Sequence, residues 1–285
     1  MMDKLRREKI VFSLFRLISL SIVSIVLILL FFIFANGMSA LSLDFLIRPP
    51  EQGMLGGGIS SPIAGTIMIM VLTVVFAIPL GVGAAIFLSE YTENVDPRVI
   101  RVIRLAINNL AGVPSIVYGL LGLGLFVLFM NLRFSVLSAS LTLSFLTLPV
   151  IIAASEEALK NVPRAYREAS LALGATKWET IRNVVLPSAL PGILTACILG
   201  LSRAAGETAP LLMTGAAYYL PRFSWNISRQ FMALSTHIFY MATQSPNPNL
   251  TRPIQYGTIA VLLLIVLSMN MAAILLRAYY RRKLR

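Results

Sequence analysis

The chain has 285 residues, 57% of them hydrophobic and only 13% charged, about half the charged share of an ordinary soluble domain. Several charge-free apolar runs approach the roughly 20 residues that cross a bilayer, which excludes a soluble enzyme and implies a polytopic helical membrane protein. The net charge of +12 then reports loop asymmetry rather than nucleic-acid binding, and a lone cysteine, Cys197, excludes a disulfide framework or a cysteine-built metal site.

The basic N-terminus, MMDKLRREK, leads into an apolar run from Val11 to Ala35, interrupted only by Arg16. The run is too long for the h-region of a signal peptide, so a retained first span is expected. Residues 36–58 are loop-like, with Pro49-Pro50 and Gly56-Gly57-Gly58. A second span over 59–88 carries Thr73, Ala77, Gly81 and Ala85 every fourth position, a face another helix can approach closely, and Pro79 should kink it.

Residues 90–104 read as a polar loop. A third span covers 106–130, with Gly112, Ser115, Gly119 and Gly122 as a small-residue face, and a fourth covers 136–154. A charged loop, 155–187, precedes the fifth span, 188–217. Residues 218–255 are hydrophilic, with Ile227, Phe231, Leu234, Ile238 and Met241 at the spacing of an amphipathic interfacial helix. A sixth span, 256–276, ends in the basic tail RAYYRRKLR. Eighteen of the 24 Lys and Arg fall on the N-terminus, 90–104, 155–187 and the tail, against five on the opposite loops. That bias puts both termini and the 155–187 loop in the cytoplasm.

Within that loop, Pro163 suits the first turn of a helix over 164–173, which Gly174 can end in a left-handed conformation. Thr176 and Glu179 have capping-box spacing for a second helix over 177–186, closed by Pro187. Ala165, Ala169 and Ala172 would let the first helix sit deep in a partner's groove, with Arg164, Arg167 and Glu168 at the rim. From the residues alone, the elbow fits either docking or an amphipathic segment on the headgroups.

Arg203 and Glu207 are the only acidic or basic side chains in the five spans after the first, and as i,i+4 neighbours they can pair. Beside them runs a ridge of small residues: Ser188, Gly192, Ala196, Gly200, Ala204 and Thr208. A charge at mid-membrane faces a cavity or a partner, so the pair either neutralises itself or lines a pathway. His237, the only histidine, is expected at the extracytoplasmic surface, and Trp178 and Trp225 as interfacial anchors. The twelve methionines read as span filler.

Glu168-Ala169-Ser170, three residues, Gly174, nine residues, Val184, one residue, Leu186-Pro187 resembles the EAA signature of bacterial ABC-importer permeases. Ser170 stands where the pattern has alanine and Val184 where it has isoleucine. PLGVGAAIFLSEY (79–91), LAGVPSIVYGLLGLGLF (110–126), REASLALGATKWETI (167–181) and LSRAAGETAPLL (201–212) resemble one of the two homologous permeases of phosphate-specific ABC transporters. The last run separates the chain best from sulfate or molybdate permeases. The sister phosphate permease shares the Arg-x-x-x-Glu core.

The resemblance implies an all-α integral membrane protein of type I importer architecture, with six transmembrane helices and both termini cytoplasmic. It implies an N-terminal unit over 1–58, a permease core over 59–277 and a tail over 278–285. Glu168, Ala169, Gly174, Leu186 and Pro187 would couple to the ATPase, and Arg203 and Glu207 would line the pathway for phosphate. Partners would be a homologous permease, two copies of a cytoplasmic ATPase and a periplasmic or lipoprotein phosphate-binding protein, in the cytoplasmic membrane and without nucleic acid. The chain has no G-x-x-x-x-G-K-[ST] loop, so no cofactor is expected in it and Mg-ATP would be bound by the partner ATPase.

Overall fold

In lipid, every backbone N–H and C=O must be satisfied within its own segment, so each apolar run of sufficient length becomes a helix. The structure is a computed structural model that describes residues 2–93 and 95–283; the last two residues of the basic tail, Leu284 and Arg285, lie outside the described residues. The chain runs through α1 (Met2–Gly37), the short α2 (Leu43–Ile47), a two-residue hairpin pairing Pro50–Glu51 with Gly56–Gly57, and α3 (Ser60–Glu90). Then come α4 (Pro97–Ala111), α5 (Ser115–Gly122) continued by a π-helical turn to Phe129, α6 (Val136–Lys160) and α7 (Arg164–Ala172). It ends with α8 (Lys177–Thr180), α9 (Leu186–Gly206), α10 (Ala209–Thr214), α11 (Leu234–Gln244) and α12 (Pro248–Lys283). Five helical rods among the described residues are long and apolar enough to span, and α4 with α5, bent by 103° at the break between them, make a sixth if the pair is taken as one span.

The centre of the bundle is α3 against α6, with α9 packed on both, so that the three helices share one core around Ile151. The four-residue stripe on α3 makes this possible: Thr73, Ala77 and Ala85 are fully buried, and a Cβ on Gly81 would lie 2.6 Å from Ile151 Cγ2. The small-residue ridge of α9 meets α6 in the same way, with Gly200 against Ile151 and Gly192 against Ala158. Close backbone approach replaces the hydrophobic effect, which lipid removes as a driving force. By contrast, the apolar part of α1 is exposed along most of its length and meets α12 through Phe32 and Tyr256 near its end.

Three sequence expectations are corrected. The third span does not begin at 106, because α4 is a separate helix. Asp96 caps it by accepting from the Arg98 N–H at 2.8 Å, Pro97 starts it, and Gly112-Val113-Pro114 breaks it. Arg98, Arg101 and Arg104 interrupt the apolar run in sequence but sit along one side of that helix. The fifth span is also broken: α9 stops at Gly206, Glu207 is extended (φ −69°, ψ 134°), and α10 restarts with Pro210 in its first turn.

Third, the expected surface helix through Ile227 and Phe231 is absent. That segment is a turn, with the Arg229 N–H donating to the Asn226 carbonyl at 3.1 Å, followed by a bridge from Phe231 to Ala216. Its Arg229 and Ile227 carbonyls accept from the first N–H groups of α6, Val136 and Leu137, each at 3.0 Å. Phe231 and Met232 are driven into the core by this pairing, and helix resumes only at Leu234.

His237 lies on that resumed helix, α11, and it too departs from expectation, being 1% exposed rather than at the surface. Neither ring nitrogen has a partner among the described residues, and burial lowers its pKa to about 4. An unfolded histidine titrates near 6.5, so between those values the unfolded chain binds a proton that the folded chain refuses. Stability is therefore whole above about pH 6.5 and falls by about 2 kcal/mol on going to pH 5. Thermal unfolding in detergent should show this loss, and His237→Met should flatten it. An unchanged acid slope in that variant would assign the sensitivity elsewhere.

Candidate functional site

Two features meet the sequence expectations: an elbow at the charge-rich end of the bundle and a charged pair inside it. The elbow begins at Pro163, after which α7 forms, and ends in a Schellman motif. The Ala175 N–H donates to the Ser170 carbonyl at 3.3 Å and the Gly174 N–H to the Leu171 carbonyl at 3.0 Å, with Gly174 at φ +84°. The predicted capping box is present. The Glu179 N–H donates to Thr176 Oγ1 at 3.3 Å, and the Thr176 N–H donates back to Glu179 Oε2 at 2.8 Å.

Pro187 does not close the second helix, as the sequence suggested. One rod runs from Lys177 to Gly206, and the residue without an N–H is absorbed by a π-helical turn over 181–185, in which the Leu186 N–H donates to the Ile181 carbonyl. The elbow is thus continuous with the span that carries Arg203.

Glu168, Ala165, Ala169 and Ala172 are exposed, together with Leu173 (90%), Leu171, Tyr166 and Trp178. This is a surface with apolar content and no cover in the chain itself. Arg167 is not at its rim. It turns inward and binds both oxygens of Glu90, Nη2 to Oε1 at 2.7 Å and Nε to Oε2 at 3.1 Å. Beside it Arg104 and Lys160 both reach Glu156 Oε1 at 2.7 Å. The carboxylates at the ends of α3 and α6 were missed in the sequence because they sit where a span and a loop merge. The available signal was the lone Glu90 closing a charge-free run.

Inside the bundle, Arg203 Nε lies 3.4 Å from Glu207 Oε1, a long contact. The two are not on one continuous helix: Arg203 is in the last turn of α9 and Glu207 caps it. The Glu207 carbonyl accepts from Ser235 Oγ at 2.9 Å, and α10, just beyond the break, packs on Gly119 of α5. The level of the pair along the bundle follows from α6. Gly200 sits against Ile151 and Thr147, close to the middle of that 25-residue helix, and Arg203 is one turn further on. Its side chain is 39% exposed and that of Glu207 16%. Among the described residues the arginine's Nη groups make no hydrogen bond. A second polar contact, Ser202 Oγ to Asn270 Oδ1 at 2.5 Å, ties α9 to α12.

Residues 77–285 match the family described as binding-protein-dependent transport system inner membrane component. The chain belongs to this family. It is 35% identical to the probable ABC transporter permease YqgI of Bacillus subtilis over 95% of both chains. It is also 35% identical to the phosphate transport system permease PstA 1 of Mycobacterium tuberculosis H37Rv, over 83% of this chain and 74% of that one. Its fold is like that of the inward-facing methionine ABC transporter MetNI, with a TM-score of 0.62 at 19% identity over 78% of this chain and 97% of that one. A bacterial ABC transporter importing the acidic polysaccharide alginate gives a TM-score of 0.66 at 12% identity, over 94% and 96% of the two chains. The permease therefore has the type I importer fold and is a multi-pass protein of the bacterial inner membrane. It is not an enzyme: its relatives are permease subunits, and the ATPase of such an importer is a separate subunit.

Proposed function

We propose that the chain is one of two homologous permeases in an ATP-driven importer of inorganic phosphate, working with two copies of an ATPase and a phosphate-binding protein. The observation that carries this is Arg203, a charge inside an apolar span, near the level of the middle of α6, whose guanidinium projects past the chain's own packing. A charge presented to lipid at that level costs roughly 2.5–3.5 kcal/mol, so its open side faces the partner permease or the pathway between them. A planar guanidinium with free Nη groups suits a tetrahedral oxyanion, which it binds through two parallel hydrogen bonds. Glu207 tempers that attraction so that the ion is released onward. Phosphate among the oxyanions is supported by the relatives named as phosphate permeases. The exposed elbow, with Glu168, Ala169 and Gly174 at its surface and Leu186-Pro187 at its base, is the coupling surface for the ATPase, which would carry the Mg-ATP.

Uptake by the complete transporter in proteoliposomes tests the reading. Labelled phosphate should accumulate with ATP, and sulfate in tenfold excess should not compete. Uptake of sulfate or another oxyanion in place of phosphate would make the chain a permease for that ion.

A further inference from the structure

We infer that Arg167 and Glu90 form a strap that carries the motion of the elbow into α3. The inference rests on the elbow being the ATPase-coupling surface. No residue of α7 is buried, so the helix has no apolar anchor of its own. Apart from its chain connections, one hydroxyl contact ties it to the following helix, Ser170 Oγ to Thr180 Oγ1 at 2.9 Å. The helix also lies against the turn over 181–185, and its charged attachment to the ends of α3 and α6 is Arg167. Besides the two bonds to Glu90, its Nη1 donates to the Val162 carbonyl at 2.7 Å and its Nη2 to the Leu159 carbonyl at 2.9 Å.

The position of these partners gives the contact its consequence. Glu90 is the last residue of α3, with a side chain 8% exposed, and Ser89 Oγ donates to it at 2.9 Å. Leu159 is in the last turn of α6, Val162 lies just beyond it, and both are buried. One guanidinium therefore grips the ends of both central helices. The bidentate fork fixes an angle as well as a distance, which a point charge would not do. The neighbouring surface pair, Lys177 Nζ to Glu93 Oε2 at 2.9 Å, has a carboxylate 81% exposed and adds little.

The covalent route from α7 to the span of Arg203 passes through the π-helical turn over 181–185, the kind of irregular turn that marks a hinge. A push on α7 delivered by that route alone would be taken up at the turn. Through Arg167 the same push reaches α3 and α6 directly, and α6 carries the close-packed faces of both α3 and α9. Arg167 is thus a positioning residue, acting on the pathway without touching the ion.

The experiment uses the complete transporter in proteoliposomes and reads three quantities: ATPase retained on purification, ATP hydrolysed, and phosphate imported. Arg167→Gln and Glu90→Gln should both keep the ATPase bound and hydrolysing while ATP spent per phosphate rises about tenfold. Glu90→Gln is the safer variant for folding, since the amide keeps the shape of the carboxylate and an acceptor oxygen. Glu90→Cys with Arg167→Cys should behave like the single variants and recover the normal ratio when a short bifunctional thiol reagent bridges the two. An unchanged ratio in Glu90→Gln, loss of ATPase binding in that variant, or a bridged pair that stays uncoupled would each overturn the strap. Failure of the unsubstituted chain to retain any ATPase would instead overturn the coupling reading itself.

Discussion

Gly174→Val should insert in the membrane normally yet lose phosphate import by at least about tenfold, with a matching loss of ATPase on purification. The residue sits at φ +84°, and a Cβ built there meets no atom within 4 Å. Sterics with neighbours therefore play no part, and the whole effect comes from the backbone. A β-branched residue resists positive φ at a cost of about 1–3 kcal/mol, comparable with the small free energy holding an unburied helix in place. The corner relieves that strain by giving up the Schellman bonds from Gly174 and Ala175, and α7 then points elsewhere. Gly174→Ala should give a weaker form of the same defect, because alanine enters the left-handed region at lower cost. Full ATPase retention and normal import in Gly174→Val would show that the angle of the elbow is immaterial to coupling.

The elbow was the most legible part of the sequence because its signals are local. A helix start after proline, a glycine stop and a Thr-x-x-Glu box each specify their own backbone, and all three appear as expected. The small-residue stripe on α3 was legible for a similar reason, since a four-residue repeat in an apolar run reads the same in sequence and in packing. What was illegible depends on partners distant in the chain. Arg167 read as a rim charge because its acceptors, Glu90 and two carbonyls of the α6 end, are brought to it only by the fold. Phe231 read as part of an interfacial helix and His237 as a surface residue because hydrophilic neighbours surround them, yet both are buried in a segment that pairs with the start of α6. The break after Gly206 was hidden by the apolar runs on either side of it; Gly206 and Pro210 were the local signs of a stop and a restart.

That break changes what the charged pair can do. On one continuous helix, Arg203 and Glu207 would ride together through any movement. Glu207 keeps its N–H on the Ala204 carbonyl of α9 while its own carbonyl is held by Ser235 of α11, so its carboxylate sits at the joint between the two helices. A shift of α9 relative to α11 would change the 3.4 Å contact and, with it, how strongly Glu207 competes for the arginine. The competition is what would let one site first hold an anion and then release it.

Arg203→Ala should abolish import, but alone it cannot say why, because it also strands the Glu207 carboxylate in a mostly enclosed position. The pair is therefore read as a cycle. Arg203→Ala with Glu207→Ala removes both charges and should restore assembly to the level of the unsubstituted complex. Import should nevertheless stay down by about ten- to a hundredfold, the worth of a charge-assisted contact of about 1.5–3 kcal/mol. Arg203→Lys keeps the charge and loses the fork, so it should assemble normally and import at an intermediate rate. The two measurements separate the roles cleanly, since a pair that serves only to neutralise itself is dispensable once both members are gone. Import at the unsubstituted rate in the double alanine variant would make Arg203 a packing residue and remove it from the pathway.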